Sequence, residues 1–263
     1  MSGSSRWRAL ANAGKEVAAW ARQAALIHHD VLEPALPERA ADGDDIVVLL
    51  HGLFATAGVL RPLRRALGKH RRVHTAAMTY APGPGVEELA QKLGALVRDL
   101  PAGARLHLVG HSLGGIVTRY FAQEIGDPRI LQTVSLASPF AGIKRAALLG
   151  FGGARDLDPQ SELLRRVRLG SSRAPQIPHL SIIAASDVIV PAPISHALPG
   201  GEVILMEGRG HNALLFDAEV VGHIERRVLA IPRGPDVALT TESADTSEQD
   251  RDAAKGALLG PTA

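Results

Sequence analysis

Six short apolar runs mark the middle of the chain: Ile46–Leu50, Val73–Met78, Leu106–Val109, Thr133–Leu136, Leu180–Ala184 and Val203–Met206. Runs of this length with little polar alternation are the mark of strands buried on both faces. Between them apolar residues recur every three or four positions, which predicts helices over Val59–Leu67, Val86–Leu100, Leu113–Ile125 and Ala213–Leu229. Strands alternating with helices predict the α/β class, a mostly parallel central sheet with helices on both faces. Such a sheet gathers its functional loops at the carboxyl ends of its strands.

The alternation fails in three places. Residues 1–40 read as a helical extension, with Trp7, Leu10, Val17, Ala21, Ala24, Ile27 and Val31 in one apolar stripe, and Pro34 and Pro37 beyond it. Packing of that stripe on the domain body is one reading of it. A basic amphipathic helix making transient contact with a lipid surface is the other. The body, residues 41–232, begins after the polar turn Asp42–Asp45. Within it about 40 residues, Pro139–Pro178, separate two predicted strands, a length that suggests a cap-like insertion. Gly142, Gly150, Gly152 and Gly153 are its candidate hinges, Ala146–Phe151 its apolar strip and Ser161–Arg168 a short helix. From residue 233 to 263 the chain turns acidic and polar, and a disordered tail is expected.

Composition removes several classes of function. The chain of 263 residues has no cysteine, which excludes a thiolate metal centre and a cysteine nucleophile. Its 29 Lys and Arg nearly balance 27 Asp and Glu, so no overall charge draws nucleic acid. Aromatics at 3% are too few for a base-stacking platform. No stretch approaches a membrane span, and Lys15 and Glu16 interrupt the only segment resembling a secretory signal, so a cytoplasmic location is expected. No phosphate loop, HExxH pair or dinucleotide fingerprint is present, so no cofactor is expected. Oligomeric state is not legible.

One pentapeptide carries chemistry. Gly110-His-Ser-Leu-Gly114 fits G-x-S-x-G, directly after a predicted strand and at the start of a predicted helix. In that setting Ser112 sits on a sharp turn that needs flanking glycines. A serine nucleophile needs a base to take its proton. In folds built on such an elbow the chain order is Ser, acid, His. Of eleven histidines, that order and loop position favour His211, which follows the strand Val203–Met206 in a glycine-rich loop. Asp187, after Leu180–Ser186, is placed to orient it; Asp156 and Asp158, in the insertion, are the rivals. The oxyanion of an acyl-transfer intermediate needs preorganised amides. Leu113, after the nucleophile, and Leu53, in His51-Gly52-Leu53 after the first strand, are in position.

These segments together resemble the α/β-hydrolase superfamily, and within it bacterial serine lipases and esterases, over about Asp45 to Ala230. The likeness lies in Val-Val-Leu-Leu-His51-Gly-Leu, Leu-Val-Gly110-His-Ser-Leu-Gly-Gly, Ala-Ser186-Asp-Val-Ile-Val-Pro191 and Gly208-Arg-Gly-His211. The resemblance implies the α/β-hydrolase fold and a small-molecule ester or lipid substrate. It also implies nucleophile Ser112, acid Asp187, base His211 and oxyanion amides at Leu53 and Leu113. The expected function is hydrolysis of carboxylic esters through an acyl-enzyme. Alternatives are a thioesterase or acyltransferase on the same triad, a haloperoxidase-like side activity, or a non-catalytic lipid-binding protein that kept the fold.

Overall fold

The computed structural model describes residues 3–170, 177–190 and 192–233, with side chains from residue 12 onward. The acidic tail expected from residue 233 falls, after Arg233, outside the described residues.

Strand β1 (Asp45–Leu50) shows why the apolar runs are continuous rather than alternating. Ile46, Val48 and Leu50 enter the core on one face of the sheet, and Val47 and Leu49 enter the core on the other. All five are fully buried. The other strands are β2 (Val73–Met78), β3 (Arg105–His111), β4 (Ile130–Leu136), β5 (His179–Ala184) and β6 (Glu202–Met206). They lie in the order β2-β1-β3-β4-β5-β6, and every pairing is parallel, so the sheet is parallel throughout its described strands. Helices α3 (Val86–Arg98) and α4 (Leu113–Tyr120) cover one face, while α2 (Arg61–Leu67) and α7 (Ala218–Ala230) cover the other. Because β2 lies on one side of β1 and β3 on the other, the winding reverses between β1 and β3. Loops leaving those two strands diverge there and open a crevice at their carboxyl ends.

Helix boundaries follow local chemistry. The helix predicted over Val59–Leu67 divides into a 3-10 turn, Ala57–Leu60, and α2, with Pro62 in its first turn, where a missing N–H is tolerated. The one predicted over Ala213–Leu229 breaks at Asp217, whose carboxylate accepts the Glu219 amide at 2.8 Å and caps α7.

The N-terminal helix α1 (Gly3–Leu26) exists, but from residue 12 onward its expected apolar stripe does not face the body. The side chains of Trp7 and Leu10, the first two positions of that stripe, lie outside the described residues. Val17, Ala21, Ala24, Ile27 and Val31 are all exposed, Val17 to 68%. The face turned inward carries Glu16, Ala19, Gln23 and Leu26, of which Ala19 and Gln23 are buried. Hydrogen bonds made by polar groups on that face outweigh hydrophobic periodicity in setting the rotation of this helix. Among the described residues no helix is long and apolar enough to cross a membrane.

At the amino ends of the strands a polar ladder ties the sheet together. Asp45 accepts hydrogen bonds from Arg105 Nε at 2.8 Å and His107 Nε2 at 2.9 Å. Gln132 Nε2 donates to His107 Nδ1, and Arg227 on α7 donates to Gln132 Oε1. Burial alone would push the Asp45 carboxyl upward; the bonds from His107 and Arg105 outweigh it and hold the group at about 2. A carboxyl depressed from 3.8 stabilises the fold fully above that pH, and its contribution disappears as pH falls toward 2. Asp45→Ala is therefore expected to cost about 3–5 kcal/mol at neutral pH, the usual penalty for breaking a buried pair. Urea titration should show its gap from wild type narrowing below pH 3.8.

Candidate active site

Strand β3 ends at His111, and the chain turns at Ser112, with φ 53 and ψ −120, directly into α4. A side chain at positive φ in this region is strained and persists only where its surroundings enforce it. Here the Ser112 amide donates to Leu136 O on β4 at 2.8 Å, and Gly115 N donates to Ser112 O at 3.1 Å. Two glycines make the turn possible by close approach. A Cβ on Gly110 would lie 2.3 Å from the Gly114 carbonyl, and one on Gly114 would lie 2.5 Å from His51 O.

The loop after β1 packs against this turn, with Gly52 so near that a Cβ there would stand 2.9 Å from Ser112 Cβ. His51 shapes the loop. Its Nδ1–H donates to Gly52 O at 2.7 Å, its Nε2 accepts the Tyr80 amide at 3.1 Å, and its ring stacks on Tyr80 at 4.0 Å. The Tyr80 hydroxyl donates to the His51 carbonyl. Burial lowers the imidazole to about 4, so the neutral ring keeps Nε2 as an acceptor. Among the described residues neither the Leu53 nor the Leu113 amide is hydrogen-bonded to protein.

Strands β5 and β6 deliver the acidic and basic groups. Asp187 follows β5; its Oδ1 accepts the amides of Ile189 at 2.9 Å and Val190 at 2.8 Å. Its Oδ2 lies 2.7 Å from His211 Nδ1, and both side chains are buried. The two loops are joined by Ser186 N donating to Arg209 O at 2.9 Å. The rival carboxylates lie elsewhere in contact terms. Asp156 accepts the Val86 amide at 2.6 Å, capping α3, and burial raises it, while Asp158 accepts the Gln160 amide in its own turn. Among the other late histidines, His179 sits among the hydroxyls of Thr133, Ser135 and Ser181, and His223 pairs with Arg226 on α7.

One contributor was not singled out by the sequence. His111 Nε2–H donates to the His211 carbonyl at 3.1 Å, and the two rings meet edge to face at 4.8 Å. Burial first, and the nearby His211 second, hold His111 well below the usual histidine range, so it is a neutral brace under the His211 backbone. The only sequence signal for it is the variable position of G-x-S-x-G.

Ser112 and His211 open onto the same pocket, about 490 Å³ in volume. Its walls are mainly apolar, from Leu53, Phe54 and Ala55 of the β1 loop and Ile143, Leu149 and Leu157 of the insertion, with Trp20 and Gln23 of α1 completing one side. A larger pocket of about 640 Å³, between the 159–169 stretch and Pro199–Gly200, holds none of these groups.

Neither a family model nor a curated protein matches the sequence. Solved structures do match. The mature Bacillus licheniformis lipase BlEst2 is 13% identical, with 76% of this chain and 98% of that one aligned at a TM-score of 0.60. This is the α/β-hydrolase fold. A structure from work on carboxylesterases of the thaumarchaeon Nitrososphaera gargenis aligns over 75% of this chain and 93% of its own, at 15% identity and TM-score 0.55. A Bacillus anthracis bromoperoxidase aligns over 76% and 94%, at 16% and 0.54. In the hydrolase fold of this chain, the β1–β3 crevice, the Ser112 turn and the β5 and β6 end loops all lie at the carboxyl edge of one parallel sheet.

Proposed function

We propose that the protein is a serine hydrolase that cleaves carboxylic esters. The observation that carries this reading is the convergence of Ser112, at its strained turn, and the Asp187–His211 pair on one apolar pocket. Ser112 Oγ attacks the ester carbonyl while His211 Nε2 takes its proton. Asp187 keeps the proton of the neutral ring on Nδ1 and stabilises the imidazolium that forms. The amides of Leu53 and Leu113 receive the oxyanion. His211 then protonates the leaving alcohol, and water, deprotonated by the same imidazole, releases the acid from Ser112. Lipase and esterase neighbours support this chemistry, although the fold hosts several reactions and the site, not the fold, is the warrant.

The experiment is turnover of p-nitrophenyl esters of graded chain length, alongside thioesters, with Ser112→Ala as control. Ester turnover abolished by that substitution supports the reading. Absence of both turnover and fluorophosphonate capture in the wild type would leave a non-catalytic lipid-binding protein.

The insertion acts as a cap in this proposal. Its core-facing residues Leu157, Leu164 and Val167 are buried, and α5 (Gly152–Asp156) is pinned by Gly152 N donating to Gly83 O at 2.9 Å. A Cβ on Gly152 would lie 2.7 Å from Gly85 N and one on Gly142 2.6 Å from Pro159 Cα, so both of these expected hinges are packing points. Gly150, at φ 81 with open space around it, is the turning point. The stretch proposed to move is residues 144–150, which Gly150 ends and in which Leu148 and Leu149 are exposed. Replacing residues 144–150 with a short Gly–Ser linker is expected to weaken preference for long acyl chains while short-ester turnover survives. An unchanged chain-length profile would make the stretch structural only.

A further inference from the structure

From residue 12 onward the expected apolar stripe of α1 points to solvent, and the face bearing Asn12 and Glu16 is pressed against the loop that bears His211. Glu16, at the centre of that face, accepts the Asn212 amide at 3.0 Å and the Asn212 side-chain amide at 3.3 Å through Oε1. Its Oε2 accepts the Ala213 amide at 3.1 Å. On the other side of His211 in the chain, Gly210 lies so close that a Cβ would stand 2.3 Å from Oε2. One turn earlier, Asn12 packs on Gly208, whose φ is 67. The residues flanking the histidine on both sides therefore rest on one carboxylate. The body of the domain holds the same backbone from below through His111.

We propose that Glu16 is a positioning residue for the base: it clamps the Gly210–Ala213 backbone so that His211 keeps its place between Asp187 and Ser112. This rests on the serine hydrolase reading. Between β6 and the base, residues 207–210 include two glycines, at 208 and 210, and no apolar side chain. The apolar anchors of the β6–α7 loop, Leu214 and Leu215, come only after His211. A carboxylate accepting three N–H bonds is a strong local anchor, since charged acceptors bond more tightly than neutral ones. Its removal leaves two backbone N–H groups, next to the base, without partners. A displacement of about 1 Å at a reacting group can cost about 100-fold in rate. The N-terminal helix then belongs to the catalytic apparatus rather than to a separable extension, and this accounts for its rotation with the polar face inward. Trp20 and Gln23, one and two turns farther along, line the substrate pocket from the same helix.

The test uses the full chain with Glu16→Ala and Glu16→Gln, the second keeping one carbonyl oxygen as acceptor. Ester kinetics, hydrogen exchange at the Asn212 and Ala213 amides and fluorophosphonate capture by Ser112 are read together. Expected for Glu16→Ala are faster exchange at both amides and kcat lower by about 100-fold, with KM nearly unchanged. Glu16→Gln should fall between it and wild type, and it carries the comparison if the alanine variant does not fold. Adding Glu16→Ala to His211→Ala should cost nothing further, because a residue acting through the base has nothing left to position. Exchange rates unchanged by either substitution would overturn the clamp. Faster exchange with kcat intact, or a full multiplicative loss in the double variant, would overturn its catalytic role. If the wild type turns over no ester but is captured by fluorophosphonate, the ester reading fails alone. The capture rates of the Glu16 variants then decide the clamp.

Discussion

Ser112→Ala is expected to lower kcat by about 10⁵–10⁶-fold, the scale seen when a serine hydrolase loses its nucleophile. The substitution removes only the hydroxyl. The backbone at φ 53 is held by bonds from Ser112 N to Leu136 O and from Gly115 N to Ser112 O, neither of which involves the side chain. Alanine tolerates that conformation about as poorly as serine, so unfolding temperature should stay close to wild type. Hydrolysis of p-nitrophenyl esters checks the rate, and loss of fluorophosphonate capture checks the site. A variant that keeps most of its turnover would remove the serine hydrolase proposal.

Asp187→Asn should cost up to about 10⁴-fold with the fold intact. Oδ1 accepts the Ile189 and Val190 amides, and an asparagine carbonyl can keep those two bonds. The amide nitrogen then faces His211 Nδ1 in place of Oδ2, at a contact now 2.7 Å long. A donor there favours the tautomer with its proton on Nε2, which cannot accept from serine. Asp156→Asn serves as the contrast. Its carboxylate caps α3 through the Val86 amide, so the change should lower unfolding temperature modestly and leave kcat near wild type. The reverse pattern, with Asp156→Asn crippling and Asp187→Asn harmless, would move the proposed acid to the insertion.

Legibility along the chain tracks how local the determining physics is. Strands β1 to β6 were readable within a residue or two at most ends because an unbroken apolar run needs no knowledge of partners. In β1 and β5 the run reflects burial on both faces, whereas the edge strand β6, expected to be buried likewise, leaves Val203 and Leu205 exposed. The Ser112 turn was readable because steric crowding at a strand-to-helix corner demands glycine at fixed offsets. Chain order and loop position placed Asp187 ahead of Asp156 as a candidate, and in the structure Asp187 is the carboxylate in contact with His211.

The rest depended on contacts across long stretches of sequence, which no window of neighbouring residues encodes. The side of α1 that faces the domain is one such case: an apolar stripe through Val17 and Ala21 predicted the wrong face, because Glu16 finds three N–H donors 196 and 197 positions away. His111 as a brace for His211 is another, joining residues 100 positions apart. The sequence alone determined the α/β class, the strand order in the chain and the residue types available at the sheet's carboxyl edge, since these follow from periodicity and sterics. Only the tertiary structure decided which polar groups meet. Sheet order and helix rotation set those distances, and buried hydrogen-bond donors go to whichever acceptor the packed chain brings within reach.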